Sequence, residues 1–428
     1  MRVVVGPATV APAAGEAPAA QRETGYVDVR PSSGNAGLGT APANGAGMAS
    51  RLELHGGGRL AGLTWAHLLN DGAANYLPGV LPAVLASLRL PLQMAGVLVA
   101  ALVVGQAAQP LVGWFADRRG GRGLVVVGLA LSTTGGGLLA VAHSTALLVV
   151  LLLLIGLGSA FFHPQALAGV RSLVHDRQGF RTSAFLVGGE LGRGIWPTAA
   201  SLVAANLGLG YLWILAVPGA VTVAFLVRWA PALAPRPRQA KAIRWRDHAR
   251  PLAMLVSYRG VRALTTFGLV TFVPVMWHVR GGSLVAGASI ITTMLVVGVV
   301  GNLWGGHLAD RIGRRPVLVS SALAASALIF PVVYLHGAWV WVAAAALGIA
   351  IFLTASTTVL IGQDIFPENR SMGSGIALGL ANGIGALLVL LIGLWIRPGD
   401  VVTVFWALAA LGVVSVAPAL LFPADLVR

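Results

Sequence analysis

Gly113–Arg122 reads GWFADRRGGR, and Gly306–Arg315 reads GHLADRIGRR. Each stretch joins the end of one long apolar run to the start of the next. A charged, glycine-rich turn at matching places in two halves of a chain implies duplicated halves. In a chain this apolar, duplicated halves point to a transporter whose halves move against each other around a central site.

Composition supports a membrane location. Of 428 residues, 57% are hydrophobic and 10% charged, where a soluble domain carries about 25% charged residues. The apolar runs are roughly 20 residues or longer, enough to cross a ~30 Å hydrocarbon layer as helices. Backbone groups in lipid must be satisfied internally, by helices or by closed barrels. Barrel strands alternate apolar and polar residues. The run 147–155 is apolar without alternation, which predicts helices. The chain has no cysteine, so disulfides, thiolate metal sites and a cysteine nucleophile are excluded.

The tail, residues 1–58, is rich in Ala, Gly and Pro and is predicted to be disordered. It lacks the basic, apolar and cleavage regions of a signal peptide. Twelve spans are predicted after it: about 60–86, 92–116, 122–142, 145–170, 181–206, 209–229, 251–278, 283–309, 316–335, 338–362, 370–395 and 400–423. They form an N-terminal six-helix bundle over 59–229 and a C-terminal one over 251–428. The linker 230–250 holds Pro235, Pro237 and a run of bases.

The net charge is +15, but the bases lie in short loops between apolar runs, which fits membrane topology better than nucleic-acid binding. The loops after spans 2, 4, 6, 8 and 10 hold most of the Arg and Lys. The opposite loops hold Arg89, Arg280 and Arg397. The positive-inside rule therefore puts the first set of loops, and both termini, in the cytoplasm.

The two loops supply candidate gating residues: Gly113, Asp117, Arg118 and Arg122, then Gly306, Asp310, Arg311 and Arg314. The leading Gly permits close helix approach. The Asp can face a helix N-terminus or pair with an Arg, a contact able to latch one conformation and release in another. The alternative is a positive-inside turn with no gating role.

Both loops resemble the pattern G-x-x-x-D-R-x-G-R-[RK] of the major facilitator superfamily. The second copy follows it closely. The first has an extra Gly121 and lacks the second terminal base. A narrower resemblance rests on His67, Leu68, Leu69, Asn70 and Asp71 in span 1, on Phe162, His163 and Pro164 in span 4, and on Val187, Gly188 and Gly189 in span 5. Gly373, Gly375, Gly379, Gly383 and Gly385 in span 11 add to it. These are similar to the fosmidomycin-resistance branch, which implies a twelve-helix fold and proton-driven drug export. Span 5 departs from that branch, with Glu190 and Arg193 where uncharged residues are expected and Trp196 before Pro197.

Ionisable residues inside lipid are costly and mark function or pairing. Counted from Arg59, Arg171, Arg181 and Arg250, seven of them lie about 8 to 12 residues in, roughly 12–18 Å deep. They are His67, Asp71, His163, Glu190, Arg193, Arg259 and Arg262. The spacings 67/71, 190/193 and 259/262 each place both members on one helix face. In the resembled fold, spans 1, 4 and 7 line a central cavity, so the seven are expected to surround one pocket.

Two readings follow. In one, Asp71 or Glu190 carries a proton, assisted by His163 or His67. In the other, Arg193, Arg259 and Arg262 hold an anionic substrate, since a guanidinium suits phosphonate or carboxylate geometry. Asn70, Gln106 and Gln109 join the second set as polar lining. The plain alternative is that these acids and bases neutralise one another as packing pairs.

The expected protein is thus an all-α, twelve-helix transporter of the bacterial inner membrane. It works as a monomer on a small molecule and protons, without cofactor, metal or nucleic acid. Proton-coupled export of a small organic compound leads, and symport of an organic acid or a non-transporting sensor are the rivals. An enzyme is not expected, because the chain lacks HExxH, GxSxG and P-loop motifs.

Overall fold

The computed structural model describes residues 56–173, 178–233, 245–367, 373, 375–396 and 400–427. Most of the predicted tail, the middle of the predicted linker and the side chains of Asp117 and Arg118 lie outside the described residues. The described elements are helical. They run α1 (Gly56–Asn75), α2 (Leu77–Ser87), α3 (Met94–Gln106), α4 (Gln109–Arg119), α5 (Gly123–Leu138), α6 (Thr145–Leu173), α7 (Gln178–Asn206) and α8 (Val217–Trp229). Then come α9 (Trp245–Val279), α10 (Leu284–Ile312), α11 (Arg314–Tyr334), α12 (Trp339–Phe352), α13 (Ala355–Ile365), α14 (Ala381–Trp395), α15 (Val401–Val414) and α16 (Val416–Leu421).

Several predicted spans are broken helices. Span 1 is α1 and α2, interrupted at Tyr76, with Pro78 in the first turn of α2. Pro lacks the N–H that would continue the ladder and fits best at a helix start. Span 2 breaks between Gln106 and Gln109 beside Pro110. Span 10 breaks at Leu353 and Thr354. Among the described residues, 10 helical stretches are long and apolar enough to cross a membrane. The two predicted spans that fall short, α1–α2 and α7, carry His67, Asp71, Glu190 and Arg193. The intramembrane charges themselves lower the hydropathy of these two helices.

The repeated loops turn by the same device. Gly120 ends α4 with φ 62° and Gly313 ends α10 with φ 86°. Each donates its N–H to the carbonyl four residues back, Ala116 and Ala309 respectively. An L side chain is strained in that region, so the second glycine of the motif is the one its backbone requires. The leading glycines behave otherwise. A Cβ on Gly306 would meet open space, whereas Gly305 beside it is pressed against the backbone of Leu353, at the break after α12. Gly113 has only ordinary contact with Pro164. The expected close approach therefore belongs to Gly305 in the second copy. In span 11, Gly373 and Gly385 meet neighbouring backbone, while Gly375, Gly379 and Gly383 face open space.

The apolar core is divided unevenly. One large buried cluster draws on both halves, from Ala74–Leu102 and Leu148–Ile155 through Leu264–Leu295 and Ala325–Ile351 to Phe405. It lies at the end remote from the Asp–Arg loops. At the loop end there are two separate clusters, one around Leu63, Leu129, Phe162 and Phe185 and one around Leu255, Tyr258, Leu318 and Ile361. Polar contacts between the halves lie mainly with the shared core. Thr198 donates to Thr292 at 2.7 Å, Thr292 donates to the Gly194 carbonyl at 2.6 Å, and Gln93 donates to the Ile396 carbonyl. Among the described residues, the buried cores of the two halves merge at one end and form separate clusters at the other.

Candidate functional site

The site begins with how closely α1 and α7 approach. Gly188 and Gly192 of α7 sit on the backbone of Thr64 and Leu68 with no room for a Cβ. Small residues let backbones meet in lipid. That approach puts the polar residues of both helices within reach of each other, and α6 packs beside α1.

Asp71 is the hub, only 2% exposed. Its Oδ2 accepts from Arg193 at 3.2 Å and lies 3.5 Å from His67 Nε2. Its Oδ1 accepts from Asn70 at 3.0 Å and lies 3.1 Å from His163 Nε2. Arg193 also reaches both oxygens of Glu190 at 3.3 Å. A buried charge is tolerable only when paired and hydrogen-bonded, and this network supplies both.

The two histidines are held from behind. His67 Nδ1 lies 2.8 Å from the Phe185 carbonyl, and His163 Nδ1 lies 2.8 Å from the Ser159 carbonyl. A carbonyl only accepts, so both Nδ1 atoms carry hydrogens. Their Nε2 atoms then face each other at 3.2 Å beside the carboxylate. Phe185 stacks on His67 at 4.2 Å and Phe162 lies on its other side at 5.9 Å. Ser132, Ser159 and Phe185 escaped the sequence reading. Ser132 donates to Asn70 Oδ1 at 2.8 Å, and the short Ser132-Thr133-Thr134 stretch inside an apolar run was the only available signal.

Three sequence expectations need correction. Asn70 is not substrate lining: it is fully buried, and its amide is spent between Asp71 and Ser132. Arg262 is not a cavity arginine: it is 2% exposed and one terminal nitrogen donates to Ser321 and to the carbonyls of Ala350 and Ile351. Those carbonyls precede the break at Leu353, where the helix ladder no longer supplies donors. Arg262 therefore braces the broken span 10. The ring of seven is also uneven: five residues of the first half share one network, while Arg259 and Arg262 stay outside its hydrogen bonds and Arg259 lies within electrostatic reach of Glu190 and Arg193.

Arg259 is half-buried and donates its Nε to the Ala377 carbonyl at 3.3 Å; among the described residues no carboxylate lies within 4 Å of it, although Glu190 acts on it electrostatically. Gln106 and Gln109 are half-buried at the break in span 2 and share no hydrogen bond with the ion network among the described residues. Two cavities of about 310 and 430 Å³ are lined by other residues, around Tyr76 and Leu77 and around Thr64 and Trp65. Chemistry, not cavity size, locates the site.

The loops differ in their fastening. The first is clasped through reciprocal backbone bonds between Gly121 and Leu233, and Arg122 donates to the Arg228 carbonyl at 2.9 Å. In the second, Arg314 pairs with Asp364 at 2.6 Å and donates to the Leu426 carbonyl. Asp310 and Arg311 are exposed.

A sequence profile of the Major Facilitator Superfamily matches residues 63–389, and again 259–427. The chain belongs to the major facilitator superfamily. It is a secondary transporter, not an enzyme, and a multi-pass protein of the bacterial inner membrane. It is 29% identical over 379 residues to the uncharacterized transporter YfnC of Bacillus subtilis, covering 84% of this chain and 91% of that one. It is 26% identical over 356 residues to the fosmidomycin resistance protein of Escherichia coli, covering 79% and 86%. Among solved structures, the nucleoside transporter NupG aligns with a TM-score of 0.71 at 16% identity, covering 85% of this chain and 99% of that one. A bacterial homologue of the lysosomal transporter Spinster aligns with a TM-score of 0.66 at 16% identity, covering 85% and 93%. These structural likenesses extend to the fold.

Proposed function

We propose that this superfamily member is a proton-coupled exporter of a small organic, anionic, phosphonate-like compound. The observation that carries the reading is the hydrogen count around Asp71. Both Nδ1 atoms donate to backbone carbonyls, so two Nε2 atoms and a carboxylate converge as acceptors. At 3.2 Å, the Nε2 pair needs one further proton between its members. The cluster therefore has a place for a proton that can leave. Arg193 ties Asp71 to the partly exposed Glu190, so a shift of Arg193 would change the charge felt by the cluster. Arg259 supplies a guanidinium with no direct ion pair among the described residues for acidic cargo, and the fosmidomycin-resistance relative lends a drug-export precedent.

Residues 59–229 and 251–428 act as two bundles that rock in a monomer, with 230–250 as linker. The arginine-rich loops and both termini face the cytoplasm, and the core shared by the two halves lies toward the outer side. Ligand and proton bias a two-state equilibrium by their differential affinity for its two forms. The test is substrate-linked proton movement in proteoliposomes with Asp71→Asn and Glu190→Gln. Loss of coupling in Asp71→Asn is expected; full coupling in both variants would sink the reading. Counterflow of labelled substrate fixes the direction.

A further inference from the structure

His67, Asp71 and His163 turn their acceptor atoms toward one another. One ligand atom from each can be chosen so that all lie within 4.8 Å of one another. The nearest separations are 3.1 Å from His163 Nε2 to Oδ1 of Asp71, 3.2 Å between the two Nε2 atoms and 3.5 Å from His67 Nε2 to Oδ2, so an ion would be faced by both carboxylate oxygens. A tetrahedral ion with bonds of ~2.0–2.1 Å holds its ligands about 3.3–3.4 Å apart. Spacing alone gave no sign of this, because His163 arrives from a separate helix, and the sequence reading implied no metal. We infer that the cluster is a binding site for a divalent transition ion of the zinc type, which takes the place of the shared proton and arrests transport.

The supporting shell matches that use. Metal-bound histidines donate their second ring nitrogen to a carbonyl or carboxylate, which fixes tautomer and aim. Both histidines do so, onto Phe185 and Ser159 at 2.8 Å. The carboxylate is oriented by Asn70, itself held by Ser132. Stacked Phe185 fixes the plane of the His67 ring. Two imidazoles and one carboxylate suit zinc, cobalt or nickel rather than the all-oxygen shells of magnesium and calcium. Three protein ligands leave a fourth position for water, on the side where His163 is 27% exposed. Arg193 opposes the ion, because it competes for Asp71 Oδ2. That opposition fixes a sign: removing Arg193 tightens metal binding.

Binding stands on the geometry alone; arrest rests on the proton-coupled reading above. The experiment titrates the purified full chain in detergent with Zn²⁺ by calorimetry and with Co²⁺ by visible absorption. Expected are one saturable site, tetrahedral cobalt bands, affinity lowered more than about tenfold in His163→Gln, and affinity raised in Arg193→Gln. His336→Gln, an exposed histidine elsewhere, should change nothing. A gain in Arg193→Gln cannot come from misfolding, so the proposal stays testable if His163→Gln fails to fold. No saturable site, equal binding in His163→Gln, or weaker binding in Arg193→Gln overturns the site. Zn²⁺ bound with undiminished flux overturns arrest. Absence of proton-linked flux without metal would instead overturn the transport reading and leave the binding result standing.

Discussion

Asp71 and Arg262 are both 2% exposed, and the sequence puts them at one depth, yet they are held in opposite ways. Asp71 is gripped by side chains from α1, α6 and α7, each carrying a charge or a proton. Arg262 is gripped by a hydroxyl and two backbone carbonyls. Side-chain partners can rotate away or change protonation. Backbone carbonyls move only with their helix. The first arrangement suits a site that changes state during transport, and the second suits a stay that holds a broken helix in shape.

The largest effect that could break this comparison is Asp71→Ala. Removing one member of a buried ionic network strands the others, at a cost of about 3–5 kcal/mol. Thermal unfolding of the purified protein should drop accordingly, whereas Asp71→Asn should stay closer to the parent and lose coupling. If Asp71→Ala unfolds like the parent, the network is not the hub described. Next comes Arg262→Met. It withdraws donors from the Ala350 and Ile351 carbonyls, with about 1–3 kcal/mol lost, and amide exchange over 353–358 should quicken. Unchanged exchange would mean that Ser321, which also donates to Ala350, suffices as the brace.

Arg259→Gln sharpens the contrast within the arginine pair. Its expected effect is on cargo: about tenfold weaker binding of an acidic substrate, the loss of one charge-assisted contact, with little change in unfolding. Equal binding of acidic and neutral analogues by the parent would remove the basis for this role. The smallest effect belongs to Arg314→Gln at the second loop. Its pair with Asp364 has one partner 42% exposed, so a loss of about 0–1 kcal/mol is expected, smaller still in high salt. A larger loss would show that the carbonyl bond to Leu426 dominates.

Much of the fold was legible because lipid imposes a strong rule: long apolar runs become helices, and charges gather at their ends. The repeated loops were legible too, and Gly120 and Gly313 explain in φ angles why a motif glycine stands there. Close approach by Gly306 was misassigned, since which of two adjacent glycines faces a neighbour depends on helix rotation. The pairing of Asp71 with Arg193 was foreseen only as a shared depth. Asn70 and Arg262 were misread for one reason: a polar residue in an apolar run announces that it needs partners, not which atoms supply them.

The sequence by itself determined the class of protein and the duplicated loops, because those follow from hydropathy and repetition along the chain. Only the tertiary structure decided that five ionisable residues form one network while Arg262 braces a helix break. Helix packing sets which side chains meet, through close contacts such as Gly188 and Gly192 against α1, and that geometry is not written in the periodicity of either helix alone.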